Sequence, residues 1–466
     1  MKIQDLNGKK ILVLGFGKEG QATLAAIRKH APAAEVTIGD RDPHIACDDG
    51  SCWLQVGEGW LKNLHHFDVI IKSPGIPPQS EFEAVKGRMT SSTQIFLDTI
   101  ADSGAMVIGI TGSKGKSTTA TLIYDILQAA HSSQLTAHSS SLIGNIGEPA
   151  ISHIDEARKE RHGERSRTVF VMEMSSYQLM DLTVSPHIAV VTSFFPEHLD
   201  YHASAPLNTG STPLERYMDA KKHIARFQGS EDVIFYNAAS SGAEEIAMES
   251  SGTRIPFSVD DCPVPMEQTH LIGDHNRCNI AAAYKVGVYL KIPRGIMMKT
   301  IREFRGLPHR LQSLGVHHGI EWIDDAISTT PESTIAALDA LGDRVKTIIL
   351  GGQDRGNDFS GLAQRIKNSS VKTIILFPGS GPRIRDALTH SAAGANIFDA
   401  QSMEEAVKLA MRETLTAQSS KLIAHSSHFI ALICLLSTAS PSYNMFKNFE
   451  EKGDAFKYCI TECHPE

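Results

Sequence analysis

Lys116 and Ser117 lie in the run Gly109-Ile110-Thr111-Gly112-Ser113-Lys114-Gly115-Lys116-Ser117-Thr118-Thr119. An apolar stretch at 106–110 precedes the run and an amphipathic helical pattern at 120–127 follows it. The order is strand, glycine-rich loop, helix. Such a loop turns backbone N–H groups toward phosphate oxygens, and the helix N-terminus behind it adds partial positive charge. Lys116 is spaced to reach the outer phosphates and Ser117 to ligate Mg²⁺. The general pattern places glycine six residues before the lysine, where this chain has Ile110. The strand and helix on either side favour a nucleoside triphosphate site over a chance Gly-Lys-Ser turn.

Three further groups could do chemistry. Glu173 ends the apolar run Val169-Phe170-Val171-Met172. A carboxylate at a strand's carboxyl end in a phosphate-binding domain is placed to hold Mg²⁺, directly or through water. His198, in Glu197-His198-Leu199-Asp200-Tyr201-His202, follows a strand-like run at 188–192 and could ligate metal or meet a phosphate. On a helix, Tyr217, Lys221 and Ile224 share one face, so Lys221 points inward while Lys222 and His223 do not. By periodicity alone, Lys221 also reads as a salt-bridged or snorkelling lysine.

The elements that must carry these groups alternate. Strands at 10–14, 35–38 and 69–71 and a helix reaching residue 29 surround Gly15-Phe16-Gly17-Lys18-Glu19-Gly20, with Asp40 about 20 positions beyond the last glycine. That fingerprint alone suggests a dinucleotide and a nicotinamide dehydrogenase, but it is weak; the glycines say that backbone approaches a diphosphate closely. Strand-like runs recur at 168–172, 188–192 and 233–236, a Pro/Ser/Thr/Gly-rich loop spans 200–217, and a helical run covers 279–290. Past Pro308 the alternation resumes at 346–350, 373–377 and 423–436. The spacing predicts three consecutive α/β domains: an N-terminal Rossmann-like domain at 1–102, a central P-loop ATPase-like domain at 103–307 and a C-terminal Rossmann-like domain at 308–466.

A chain of 466 residues has room for about three domains. No apolar run approaches the ~18 residues that span a bilayer, and the first residues lack a signal peptide's apolar segment, so a cytoplasmic location is expected. The net charge of −8 argues against general nucleic-acid binding. Seven scattered cysteines, an odd count, argue against a disulfide framework. Cys459 and Cys463-His464 have metal-like spacing, but no second pair completes a tetrahedral site. The tetrapeptide Ala-His-Ser-Ser, starting at Ala130, Ala137 and Ala424, reads as polar loop insertion.

Together these pieces resemble the Mur ligases, the ATP-dependent amino-acid ligases of peptidoglycan precursor synthesis. The resemblance runs over nearly the whole chain. It rests on the loop at 111–118, Gly144-Asn145-Ile146-Gly147, Glu173, His198, the Tyr217/Lys221 pair, His275-Asn276 with Asn279, and Gly306-Leu307-Pro308-His309-Arg310. The family uses Thr-Gly before the loop and does not need the earlier glycine. The GxGxxG start and Ser442-Tyr443-Asn444-Met445-Phe446-Lys447-Asn448-Phe449-Glu450 point to the branch that adds D-glutamate to UDP-N-acetylmuramoyl-L-alanine. The Asp-Asn-Pro signature of the diaminopimelate-adding members is absent.

The resemblance implies roles. Lys18, Glu19, Asp40, Arg41 and Gly75 would line the uridine diphosphate pocket, with Asn145 on the sugar-nucleotide side. Gly112, Ser113, Lys114, Gly115, Lys116, Ser117 and Thr118 would hold the ATP phosphates. Ser117, Glu173, His198 and a carbamylated Lys221 would hold two Mg²⁺. Asn276 and Asn279 would face the adenine, Arg310 and Asp325 the phosphates and ribose. Thr329, Arg355, Ser442, Tyr443 and Phe449 would hold the incoming glutamate. The implied enzyme is a monomer, with Gly306 and Pro308 as hinge residues between its second and third domains.

Some positions depart from the family pattern. Arg355 stands where Lys is frequent, Ala326-Ile327 replaces a Ser-Lys pair, and Ser193-Phe194-Phe195 stands where Asn is common. Arg grips a carboxylate bidentately and Lys as a point charge, so the glutamate pocket leaves the amino acid and its enantiomer open, L-glutamate included. Folylpolyglutamate synthases share the loop and lysine features, but the N-terminal GxGxxG and the Lys-Asn-Phe ending disfavour that reading. A non-catalytic nucleotide sensor is the alternative of another class, and the intact Lys116, Glu173, His198, Lys221 set argues against it.

Overall fold

The structure, a computed structural model, describes residues 1–47, 50, 52–133, 139–158, 168–197, 199–204, 211–273, 275–389, 394–419 and 431–463, with backbone alone for 415–419. His198, the second and third Ala-His-Ser-Ser copies in whole or part, and His464 lie outside the described residues. The chain forms two compact units, one of residues 1–265 and 275–302, the other of 266–274 and 303–466.

The first unit carries two parallel sheets. One has the order Trp53–Val56, Glu35–Asp40, Lys10–Leu14, Val69–Lys72, Met89–Thr90. The other has the order Thr253–Phe257, Val233–Asn237, Ile188–Val191, Met106–Thr111, Val169–Glu173, Ser140–Gly144. The inner strands are buried along nearly their whole length. That is why they read as continuous apolar runs rather than alternating ones. In each sheet the chain reverses its direction of strand addition, at Lys10–Leu14 and at Met106–Thr111, and a crevice opens at the carboxyl ends beside such a switch point.

The two sheets share one apolar core. Ile11, Val13 and Phe96 belong to the same cluster as Phe170, Met172 and Ala189. Phe96, on the helix Ser92–Ile100, meets Phe170 edge to face with centroids 5.2 Å apart. Polar ties reinforce the core: buried Lys72 pairs with Asp181 at 2.9 Å, and the Tyr201 hydroxyl reaches the carbonyls of Pro74 and Ile76 at 2.7 and 2.9 Å.

The second unit holds a six-stranded sheet in the order Gln312–His317, Ile320–Asp324, Leu432–Leu436, Val345–Leu350, Thr373–Leu376, Asn396–Asp399. The first two strands form an antiparallel hairpin and the rest run parallel. The α/β class expected from the sequence is the observed one.

Several local expectations are corrected. The loop at 200–217 is shorter than read, because helices Leu199–Ala203 and Pro213–Arg226 occupy its ends. Thr212 caps the second of these, Glu215 reaches back to the Thr212 N–H, and Pro213 takes the first helical position, where its missing N–H costs nothing. The first Ala-His-Ser-Ser copy is no loop: Ala130, His131 and Ser132 complete the helix Lys116–Ser132, with Ala130 buried. Cys47 and Cys52 are joined as one local disulfide. No helix among the described residues is long and apolar enough to cross a membrane.

Phe96→Ala is expected to destabilise the first unit by about 3–5 kcal/mol, because a fully buried ring at a shared core leaves a cavity. Chemical denaturation followed by circular dichroism checks this, and a change below about 1 kcal/mol would show that the two sheets do not depend on that contact.

Candidate active site

The strand Met106–Thr111 ends in the loop that the sequence singled out, and the helix Lys116–Ser132 starts straight after it. Two glycines have no substitute. A Cβ on Gly112 (φ +147) would lie 2.1 Å from Thr192 Oγ1, and one on Gly115 (φ +89) would lie 2.2 Å from Asn279 Oδ1. Thr192 and Ser193 clamp the loop from behind. Their hydroxyls donate to the Lys114 carbonyl at 2.6 and 3.0 Å, while the Lys114 N–H donates to Ser193 Oγ at 2.9 Å. Ser193 thus backs the loop. The Ser113 hydroxyl donates to the Phe195 carbonyl at 2.8 Å and lies 2.9 Å from the Tyr217 hydroxyl.

Lys116 folds back onto the loop, donating to the carbonyls of Gly112 and Ser113 at 2.9 and 2.8 Å. Lys114 points outward and pairs with Glu197 at 2.6 Å. Ser117 and Thr118 form the next helical residues. Asn276 and Asn279, on the helix His275–Tyr289, are buried and joined Nδ2 to Oδ1 at 2.8 Å, with Asn279 against Gly115.

Lys221 is 1% exposed. The helix Pro213–Arg226 buries Tyr217, Lys221 and Ile224, the face that periodicity predicts. Lys221 Nζ donates to the Gly112 carbonyl at 2.9 Å and to Thr111 Oγ1 at 3.3 Å, and stands 4.9 Å from the Tyr217 ring centroid. Burial, reinforced by the Lys116 charge, drives its pKa well below that of an ordinary lysine, against the pull of Glu197 and Glu173. This shift favours the neutral amine.

Glu173 is also 1% exposed. Its strand pairs with the loop strand so that Ile110 faces Glu173. Asn145 Nδ2 donates to Glu173 Oε1 at 3.0 Å, and Glu173 Oε2 is a buried acceptor with no hydrogen-bond partner. An unsatisfied carboxylate oxygen of this kind suits a hard cation. Among the described residues no group of three His, Cys, Asp or Glu is arranged to hold a metal ion. Hydroxyl and phosphate oxygens, which Mg²⁺ prefers to share with carboxylates, are not in that set.

A cavity of about 300 Å³ in the same unit is lined by Lys18, Glu19, Gly75 and Asn145, four of the residues implicated for the UDP-substrate. Glu19 is pushed up by burial and accepts a hydrogen bond from Ser92. Lys18 donates to the Gly147 carbonyl at 2.7 Å. Asp40 and Arg41 do not line this cavity. Asp40 accepts the Phe16 N–H at 2.7 Å and fixes the glycine turn, and Arg41 is exposed. The cavity also takes in Ser175, Tyr177 and Gln178, which sequence reasoning did not assign. Their signal was the Ser175/Gln178 capping-box spacing, which places this short helix start beside Glu173. Tyr177 stacks on Tyr201 with centroids 3.8 Å apart.

In the second unit, the remaining implicated residues follow strand ends. Asp325 and Thr329 come after Ile320–Asp324, Arg355 after Val345–Leu350, and Ser442 and Tyr443 after Leu432–Leu436; Phe449 opens the helix Phe449–Glu462. The Arg355 guanidinium stands 5.6 Å from the Tyr443 ring centroid. Ser442 Oγ is buried without a partner. Arg310 is exposed beside buried His309.

Residues 110–260 match the Mur ligase middle domain, and residues 309–425 match the Mur ligase glutamate ligase domain. A UDP-N-acetylmuramoyl-L-alanine–L-glutamate ligase from Salinispora tropica is 32% identical over 484 residues, covering 99% of each chain. A UDP-N-acetylmuramoylalanine–D-glutamate ligase from Streptococcus agalactiae serotype III is 32% identical over 488 residues, covering 97% of each. The chain belongs to the Mur ligase family. The crystal structure of MurF from Acinetobacter baumannii shares its fold, with a TM-score of 0.54 at 15% identity over 99% of this chain and 93% of that one. This Mur ligase therefore places the loop, Glu173, Lys221 and the Asn276/Asn279 pair in one compact unit.

Gly115→Ala should weaken nucleotide binding at least about tenfold, since the new methyl displaces Asn279 and strains a left-handed backbone. Titration calorimetry with ADP is the measurement; wild-type affinity would mean that the loop rearranges freely.

Proposed function

We propose that this Mur ligase joins glutamate to UDP-N-acetylmuramoyl-L-alanine at the expense of ATP, releasing ADP and phosphate. The observation that carries the reading is the buried Lys221 amine beside the phosphate loop and the open oxygen of Glu173, in a chain that matches glutamate-adding relatives end to end. D-glutamate is the first reading, after relatives such as the streptococcal one. L-glutamate is the second, favoured by the Salinispora relative's name and by the departures at Arg355 and Ala326-Ile327.

In the proposed reaction, an oxygen of the alanyl carboxylate attacks the γ-phosphorus as the bond to the bridging oxygen breaks and ADP leaves. Two anions must meet, so the loop N–H groups and Lys116 lower the charge barrier by preorganised electrostatics. Mg²⁺, held by Ser117, Glu173 and His198, would neutralise the β- and γ-phosphates. The neutral amine of glutamate then adds to the acyl carbon, the carbon–oxygen bond to phosphate breaks, and the nitrogen gives its surplus proton to solvent. Arg355, Ser442, Tyr443, Thr329 and Phe449 hold the amino acid, and Arg310 and Asp325 the nucleotide. Lys18, Glu19, Gly75 and Asn145 hold the UDP-substrate. Residues 1–102, 103–307 and 308–466 are the three working modules of a cytoplasmic monomer in this reading.

Lys221 would act as a carbamate. A charged ammonium repels Mg²⁺, whereas a neutral buried amine can take up CO₂ and become an anionic oxygen ligand. Lys221→Ala is expected to lose nearly all activity, with partial rescue by a small carboxylic acid. Lys222→Ala should behave like wild type, because Lys222 pairs with Glu245 and Glu249 on the other side of the helix. Equal behaviour of the two variants in an ADP-release assay would overturn the carbamate.

ADP release with UDP-N-acetylmuramoyl-L-alanine should require glutamate. One enantiomer should exceed the other in kcat/KM by about 100-fold or more. Failure to release ADP with either enantiomer would end the proposal, and preference for the L form would select the second reading.

A further inference from the structure

The second unit buries a charged cluster of which the proposed reaction uses only Asp325. Lys452, on the helix Phe449–Glu462, is 1% exposed, and its Nζ donates to Thr438 Oγ1 at 2.6 Å. Asp324 and Asp325, at the end of one strand, are 1% and 3% exposed. Asp324 accepts from His309 Nδ1 at 2.7 Å and from the Ala326 N–H at 2.9 Å. Asp325 accepts from the Ser437 hydroxyl at 2.8 Å and from the Leu311 N–H at 3.2 Å. The helix presses on this cluster at Gly453, where a Cβ would lie 2.0 Å from His309 Nδ1 and 2.6 Å from Asp324 Oδ2.

Four segments thus meet around the two carboxylates, His309 and the Lys452–Thr438 bond. One segment carries Arg310, one Asp325 and Thr329, one leads through Thr438 to Ser442 and Tyr443, and one starts at Phe449. We propose that Lys452 is a positioning residue that locks the nucleotide-side groups Arg310 and Asp325 to the glutamate-side groups Ser442, Tyr443 and Phe449. The proposal rests on the functional reading above for what those groups bind. Its own content is that one buried cation sets both halves.

Two neighbouring buried carboxylates need a counter-charge, and a snorkelling lysine would not supply it. Burial brings Lys452 down to about 8, and Asp324 and Asp325 oppose the fall. Burial raises Asp325 to about 6, against the pull of Ser328, Ser437, the Leu311 N–H and Arg310. His309 is raised by its hydrogen bond to Asp324, with Asp454 and Glu450 adding to it. Asp325 is ionised above pH ~6, and protonation below it removes an acceptor that a ribose hydroxyl could use. Loss of the Lys452 cation would raise Asp325 further and move that acid limb to higher pH.

The test is steady-state kinetics of full-length Lys452→Met, Lys452→Arg and Thr438→Val, with circular dichroism to establish folding. Lys452→Met is expected to raise KM for ATP and for glutamate each about tenfold. It should also move the acid limb of kcat/KM for ATP up by about one pH unit. Lys452→Arg should restore most of the limb position. Thr438→Val keeps the charge but removes its anchor, so both KM values should rise by about threefold with the limb unmoved. A folded Lys452→Met with wild-type KM values and limb would overturn the proposal. If Lys452→Met does not fold, Thr438→Val decides: wild-type KM values refute and raised ones support. ADP affinity, measured calorimetrically in all three variants, separates the two ideas. A wild type that binds ADP but ligates nothing sinks the functional reading alone, whereas unchanged ADP affinity in folded Lys452→Met sinks the role of Lys452.

Discussion

A lysine amine kept from water against a backbone carbonyl is the constraint on which the first unit turns. Lys221 Nζ and the Gly112 carbonyl are 2.9 Å apart, and that carbonyl also accepts from Lys116. Two ammonium groups bonded to one loop carbonyl repel each other, and that repulsion favours loss of the proton from one of them. Burial decides which: Lys221 is sealed beneath Tyr217, whereas Lys116 is only half-buried. Thr192, Ser193 and Tyr217 tie that loop to its neighbours and keep Lys221 out of water.

Parallel topology explains why so many separate segments converge. Every strand of the first unit's sheets runs the same way as its neighbours, so the residues just past each strand gather on one edge. The loop at 112–115, Asn145, Glu173 and the Thr192/Ser193 pair share such an edge, and Asp325, Arg355 and Ser442 share another in the second unit. The helices between strands pay for this arrangement with close backbone contacts. Gly20 is one such contact, where a Cβ would lie 2.0 Å from the Gly15 carbonyl.

What could be read from the sequence was what is local. Strands such as Lys10–Leu14 and Val233–Asn237 are buried on both faces and announce themselves as apolar runs. Thr253–Phe257 and Trp53–Val56 are edge strands with exposed residues, and Pro256 interrupts the pattern of the first, so both escaped notice. Lys221 was legible because Tyr217 and Ile224 mark its face at helical spacing. Thr192 and Ser193 were not, since their hydroxyls matter only once a strand 80 residues away brings them behind Lys114. Lys452 was equally hidden: a lone lysine in an amphipathic helix reads as a surface residue, and only the folded position of Asp324 and Asp325 makes it buried.

Lys221 and Lys452 answer the same electrostatic problem in different ways. Lys221 meets carbonyl and hydroxyl oxygens, dipoles that offer partial compensation, and burial, with the charge of a second lysine, presses it toward neutrality. Its environment favours loss of the proton. Lys452 donates to a hydroxyl; burial brings it down to about 8, and the charges of Asp324 and Asp325 oppose the fall. Its proton is held more firmly than that of Lys221. One residue type thus sits in two electrostatic settings: carboxylates oppose the loss of the proton at both sites, but at Lys221 the Lys116 charge adds to the effect of burial. An Asp introduced beside Lys221 would make the first resemble the second, at the cost of the neutral amine on which its proposed chemistry depends.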